Sequence, residues 1–342
     1  MKSQKILLYF SLAFVLLLGA TQNLHAQDDD ARAQAVVLYN EAQELAGNSQ
    51  FQDAIEVYRD ALAIARENQF DDIIEFVEER LPRVYASRAS NAFRDYQSQR
   101  TMASVDRAIE YFKLSEEAAQ EFDNTQIAQQ AAAAIPQLYY VKSILNFRQD
   151  NFAEAMDNLD TALELNPNYA VAYYQKGIVQ KQMEPNNVDA FLQWYDRAIA
   201  VATQYNDNRT LENATTGAAE ELIFRGVNLG EERRFNDAIN LLNRVENYDP
   251  ASDEAQYRLA EIYNERGNWN SAETHARRAL EYHSGGVADR AKIYFELGTA
   301  LKGQGNVEAA CSAFENARYG DFTEPANHEL QFELKCEGHA PR

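Results

Sequence analysis

Small residues recur along this chain at alternating steps of 12 and 7 positions. Ala260, Ala272 and Ala279 show the spacing, and Gly298, Ala310 and Ala317 repeat it. So do Gly226, Ala238 and Val245, then Ser143, Ala155 and Ala162, and near the start Ala42, Ala54 and Ala61. A step of 7 is about two turns of an α-helix, so the second and third members of each set share one helical face. Small side chains there let a second helix come close. The step of 12 crosses a turn, from the middle of one helix to the start of the next. Ser143 to Gly177 is 34 residues, as is Gly226 to Ala260. A fixed period in this range predicts stacked helical hairpins.

The residues between the small positions agree. Gly267-Asn268, Gly305-Asn306 and Asp150-Asn151 sit where the first helix should end, and such residues tolerate the left-handed backbone that ends helices. A large apolar residue follows at Phe51, Phe152, Phe235, Trp269 and Val307, placed to fill the corner between two helices. Pro167 and Pro250 stand five residues after Ala162 and Val245, where the second helix should stop. One hairpin cannot bury its apolar face alone, so neighbours must stack.

This arrangement resembles the tetratricopeptide repeat (TPR) family, whose 34-residue unit carries small residues at its eighth, twentieth and twenty-seventh positions and proline at its thirty-second. The clearest unit is 253–286, followed by 291–319, 219–250 and 136–167. Ser143 and Val245 depart from the family's preferences. The unit from Ala170 carries an insertion at 183–188 and places Phe191 where alanine is expected. The resemblance implies an all-α fold, a right-handed α-α superhelix of about seven hairpins with a C-terminal capping helix. The units expected lie near 33–66, 71–121 (degenerate), 136–169, 170–204, 219–252, 253–286 and 291–321, with cap and tail over 322–342. No proline- or serine-rich linker interrupts them, which predicts one continuous array over 27–342.

Residues 1–26 read as a secretory signal: Lys2 and Lys5, an apolar run over 6–20, then a short polar stretch ending in Ala26. The alternative is an uncleaved anchor. The first cysteine is Cys311, so no lipid-attachment site follows the signal. The polar segment 204–217, with sequons at Asn208 and Asn213, is expected to be the longest loop. The stretch 324–336 is expected to form the amphipathic cap. Two cysteines in an exported chain suggest a Cys311–Cys336 disulfide stapling that cap, the alternative being two buried thiols.

Without Lys2 and Lys5 the chain has 30 basic and 53 acidic residues, a net charge near −23. Nucleic-acid binding needs a basic stripe and is excluded on this reading. The charge otherwise means solubility, a preference for basic partners, or tolerance of high salt, in keeping with 23 arginines against 9 lysines. Beyond the signal nothing approaches a membrane-spanning run. His275, His283, His328 and His339 show no metal-ligand spacing, and there is no GxSxG or CxxC motif. Gly298 and Gly303 have the spacing of a phosphate loop, but Gln304 stands where lysine is required. The expectation is therefore no catalytic residues, no metal and no cofactor.

The resemblance also implies a concave groove lined by the first helix of each hairpin. Carried over, its fifth positions are Tyr39, Tyr140, Tyr174, Ile223, Tyr257 and Phe295. Around them lie Phe147, Arg148, Lys181, Arg258, Glu261, Asn264, Glu265 and Lys302. Tyr140, Phe147, Tyr174, Lys181, Tyr257, Arg258, Phe295 and Lys302 are the expected contacts for a protein or extended peptide. Packing between helices is the competing explanation for these aromatics. Family members that clamp acidic chaperone C-termini use lysine and asparagine at set groove positions, and aromatics fill the fifth position here. The expected function is a non-enzymatic exported scaffold in the periplasm or at the outer membrane of a Gram-negative bacterium, with an outer-membrane or cell-wall complex as an expected setting. A glycan-binding accessory protein of the envelope is the alternative.

Overall fold

The computed structural model describes residues 29–338; the expected signal at 1–26 and His339 lie outside them. Every regular element among the described residues is helical, as the spacing predicts. The chain divides into two compact units at Asn186 and Asn187, inside the 183–188 insertion.

The N-terminal unit contains α1 (29–47), α2 (Phe51–Glu67), α3 (Asp71–Gln99), α4 (Met102–Glu121), α5 (Thr125–Phe147), α6 (Phe152–Leu165) and α7 (Ala170–Met183). From α2 onward each helix packs on its sequence neighbour, and α3 also touches α5. Ala42, Ala54, Ala61, Ala155 and Ala162 are all fully buried. Ser143 is buried too, and its hydroxyl donates to the Tyr140 carbonyl at 2.6 Å. A small polar group therefore serves at this position because the backbone one turn back satisfies it. The stretch 71–121 forms a hairpin of two long helices, of 29 and 20 residues. Thr101 and Ser104 form a reciprocal capping box that starts α4 immediately after Arg100 ends α3.

The C-terminal unit contains α8 (Val188–Tyr205), α9 (Asn208–Glu231), α10 (Phe235–Arg244) with a 3-10 turn Val245–Asn247, α11 (Asp253–Glu265), α12 (Trp269–Tyr282), α13 (Val287–Gly303) and α14 (Val307–Asn316). Neighbours again pack in sequence order, with α9 on α11 and α11 on α13. Gly226 and Gly298 permit close approach: a methyl on Gly226 would lie 2.6 Å from Leu242, and one on Gly298 2.9 Å from the Phe314 ring. Gly303 meets the Trp269 indole, 2.2 Å from where a Cβ would stand. Helix packing thus accounts for both glycines of the phosphate-loop spacing. Phe191, in place of the expected alanine, is fully buried against Tyr195, with ring centroids 5.9 Å apart.

Two expectations fail here. The segment 204–217 is not a loop. Asn206 takes the left-handed conformation that ends α8, and Asp207 accepts from the Thr210 amide at 3.1 Å to start α9. Thr210 and Ala214 are buried, so the polar composition belongs to the outer side of a helix. The tail is not one amphipathic helix over 324–336. It is a 3-10 turn (Gly320–Phe322), a short α15 (Thr323–His328) and a π-type turn (Glu329–Glu333). The wider turn brings Leu330 inward and leaves Phe332 exposed. Cys336 is disulfide-bonded to Cys311 on α14.

Candidate partner-binding surfaces

The first helices of the hairpins carry the expected contact residues. In the N-terminal unit, Tyr140 and Phe147 stand two turns apart on α5. Tyr140 meets the Tyr169 ring edge-on at 5.6 Å, and Phe147 meets Phe152 at 5.6 Å. Both belong to the margin of an apolar core made by Leu159, Leu163 and Val179. Tyr174 and Lys181 lie two turns apart on α7, each half-buried. The Lys176 ammonium, one residue before Gly177, is buried and pairs with Asp160 on α6.

The C-terminal unit brings its expected residues into a charged network across α11 and α13. Tyr257 is buried, not presented for contact. The Arg258 guanidinium lies over its ring at 4.9 Å and the Lys292 ammonium at 4.5 Å. Both cations are held by Glu254, at 2.7 Å from Arg258 and 2.6 Å from Lys292, and Arg258 also pairs with Glu261 at 3.0 Å. Burial and the surrounding carboxylates raise the Tyr257 phenol. Asn264 is buried, and its amide donates to the Glu296 carbonyl at 2.9 Å and carboxylate at 2.7 Å. Burial, followed by the charges of Glu261 and Glu265, pushes the Glu296 carboxyl up to about 7, although Asn264 opposes the shift. Phe295 packs on Phe314 and Phe322, and Lys302 is taken by Glu329 and Glu333 of the tail.

The structure thus brings Tyr257, Arg258 and the start of α13 together and ties Phe295 and Lys302 into the tail. Sequence reasoning missed Glu254, Lys292 and Glu296. Lys292 lies three residues before Phe295, within reach of the helical period, whereas Glu296, one residue after it, points off that face. It also missed a groove of about 600 Å³ between α9 and the start of α11, floored by Ala219 and Ile223. Of its lining residues the repeat pattern had pointed to Ile223, and Thr215 and Thr216 fall in the segment expected to be a loop. Among the described residues no cluster of His, Cys, Asp and Glu is arranged to hold a metal ion, and no helix is long and apolar enough to cross a membrane.

Against known families, residues 136–169, 231–285 and 265–323 each match the tetratricopeptide repeat. The chain is a tetratricopeptide repeat protein. The first matched stretch covers α5 from Pro136 through α6, and the other two run from the end of α9 to the start of α15. No curated protein matches this tetratricopeptide repeat chain. Solved structures similar to it include YrrB, described as a TPR protein with an unusual peptide-binding site, at 18% identity over 55% of this chain and 86% of that one, TM-score 0.32. A MamA protein is 16% identical over 60% of this chain and 98% of its own, TM-score 0.33. A tetratricopeptide repeat protein from Parabacteroides merdae is 16% identical over 88% and 98%, TM-score 0.27.

Proposed function

We propose that this tetratricopeptide repeat protein is a non-enzymatic scaffold that binds a protein or an extended peptide along the first helices of its hairpins. The observation that carries the reading is the α11–α13 network. Arg258, Lys292, Glu254 and Glu261 are fixed by mutual ion pairs of 2.6–3.0 Å, and Glu296 is held by the Asn264 amide at 2.7 Å. A surface ordered before the ligand arrives loses little entropy on binding. Charged groups of both signs around a half-buried apolar margin suit selective recognition of a polypeptide. In our reading the chain is exported, its 1–26 segment serving as the signal, and works in the periplasm or at the outer membrane of a Gram-negative bacterium. The Cys311–Cys336 disulfide supports an oxidising compartment.

Photo-crosslinking in living cells tests this. Probes at Phe295 and Tyr174 should capture a defined protein, and a control probe at the exposed Arg278 of α12 should not. Capture from the control alone, or from no position, removes the scaffold reading. Mass spectrometry of the mature N-terminus tests export: a chain beginning at Gln27 is expected, and one retaining Met1 counts against a cleaved signal. The glycan-binding alternative draws less support, because a ring that stacks on sugar needs an open face and Tyr257 is buried beneath two cations. Calorimetry with peptidoglycan fragments should give no heat at millimolar ligand.

A further inference from the structure

Helix α9 carries an apolar and acidic face that the α11–α13 network does not use. Thr216, Glu220, Ile223 and Phe224 follow helical spacing along one side of it and face Tyr248, Asp249 and Asp253 across the groove of about 600 Å³. Phe224 is 62% exposed, more than any other aromatic side chain among the described residues. One exposed aromatic alone means little. Here it stands at the rim of a groove whose floor, Ala219 and Ile223, is also apolar.

The charges around the groove have one sign. Four carboxylates line it, and among the described residues no lysine, arginine or histidine does. Two of the four are committed: Glu254 holds Arg258 and Lys292, and Asp253 is in contact with His283. Glu220 and Asp249 have no ion-pair partner among the described residues. The nearest cation on α9, Arg225, turns to Glu221 at 2.7 Å and lies over the Phe191 ring. Tyr248 keeps its side of the groove in place, its hydroxyl donating to Asp196 at 2.8 Å. A carboxylate pair beside an apolar floor with no internal counter-charge is complementary to cations on an apolar stem or beside an apolar anchor.

We propose that this groove docks a cationic peptide segment with an apolar anchor formed by one or two side chains. The anchor packs on Phe224 and Ile223, and flanking lysine or arginine side chains reach Glu220 and Asp249. The proposal rests on the scaffold reading and names the chemistry of the partner and the place where it sits.

Fluorescence anisotropy on the full chain tests it, with a carboxyfluorescein-labelled peptide Gly-Lys-Lys-Phe-Lys-Leu-Arg-Gly. A second peptide replaces every basic residue by glutamate, and a third replaces phenylalanine and leucine by serine. The basic apolar peptide should bind, and the other two should bind at least about tenfold more weakly. Phe224→Ala should weaken binding about tenfold, and the Glu220→Lys, Asp249→Lys double variant should weaken it further and flatten its salt dependence. All three side chains are exposed or at the rim, so unchanged circular dichroism is expected. No binding of the basic peptide, equal binding of the acidic one, or variants that bind like the parent overturns the proposal. Photo-crosslinking separates this failure from that of the scaffold reading. Capture at Phe295 with none at Phe224 leaves the scaffold and removes the groove; no capture at either removes both.

Discussion

The two units solve the same folding problem with different turns. In the N-terminal unit the left-handed positions after a helix are Ser49, Gln69, Arg100, Asp123 and Asp150, with φ between 51° and 61°. In the C-terminal unit Asn206 and Arg233 do the same, but the two clearest repeats use Gly267 and Gly305. The geometry is constant and the residue is not. A left-handed non-glycine residue costs about 1–2 kcal/mol in backbone strain, and the packing of the following helix must outweigh it. The comparison teaches that the turn is imposed by helix packing, whereas the readable signature appears only where the local sequence agrees with it. The matched stretches follow the same division, 231–323 lying wholly in the C-terminal unit and 136–169 alone in the other.

The largest expected difference between the units is the staple. Only the C-terminal unit holds a disulfide among the described residues. A bond closing 25 residues contributes about 3 kcal/mol through the entropy of the unfolded chain. Trp194 and Trp269 both lie in this unit, so indole emission follows it alone while far-ultraviolet dichroism follows both. Reduction, or Cys336→Ser, should lower the urea midpoint seen by emission. An unchanged emission midpoint would break the contrast. Titration of unfolded, unreduced protein should find no free thiol.

Next comes the buried carboxyl of Glu296. Its ordinary value is 4.5 and its folded value about 7, so the folded state keeps a proton that the unfolded state releases between those values. Stability therefore falls as pH rises from 4.5 to 7, by at most about 3 kcal/mol, and the deficit stays above 7. His275 slopes the other way: burial holds it down to about 4, so it weakens the fold as pH falls from 6.5. Comparison with Glu296→Gln removes that background. The variant should gain on the parent as pH rises from 4.5 to 8, by emission, and a constant difference would refute the buried charge.

Gly267→Ala and Gly305→Ala should each cost about 1 kcal/mol. The added methyl meets only an ordinary contact with Trp269 at 3.6 Å in the first case and open space in the second, so the loss would measure backbone strain alone. The reverse changes, Ser49→Gly and Gln69→Gly, should raise the stability of the N-terminal unit by a smaller amount, under about 1 kcal/mol, because glycine also widens the unfolded ensemble. Followed by dichroism, a loss in place of that gain would mean the side chains themselves hold these turns.

Much of the fold was legible in the 12-and-7 spacing, because a buried helix–helix contact tolerates little beyond a methyl and so marks the sequence periodically. Ala54 and Ala272, far apart in the chain, are buried alike for this reason. The start of α9 was not legible. Its first turns are polar on the outer side, and Asp207, a capping residue, reads equally well as loop. The candidate surface was half legible. The aromatic positions were found on their expected helices, but whether an aromatic on the first helix faces a partner or a neighbour depends on what the next hairpin brings beside it. Tyr257 is covered because Lys292 arrives from α13, a contact 35 positions away in the chain.

By itself the sequence determined the helical hairpins, their stacking and the cysteines available for a staple, since each depends on residue size, turn chemistry or count within one repeat. Tertiary structure alone decided the division at Asn186, the burial of Tyr257, the capture of Lys302 by the tail and the unpaired carboxylates beside Phe224. Each of these is a relation between side chains of different helices, set by how the helices pack, and local periodicity carries no information about charge pairing across that distance.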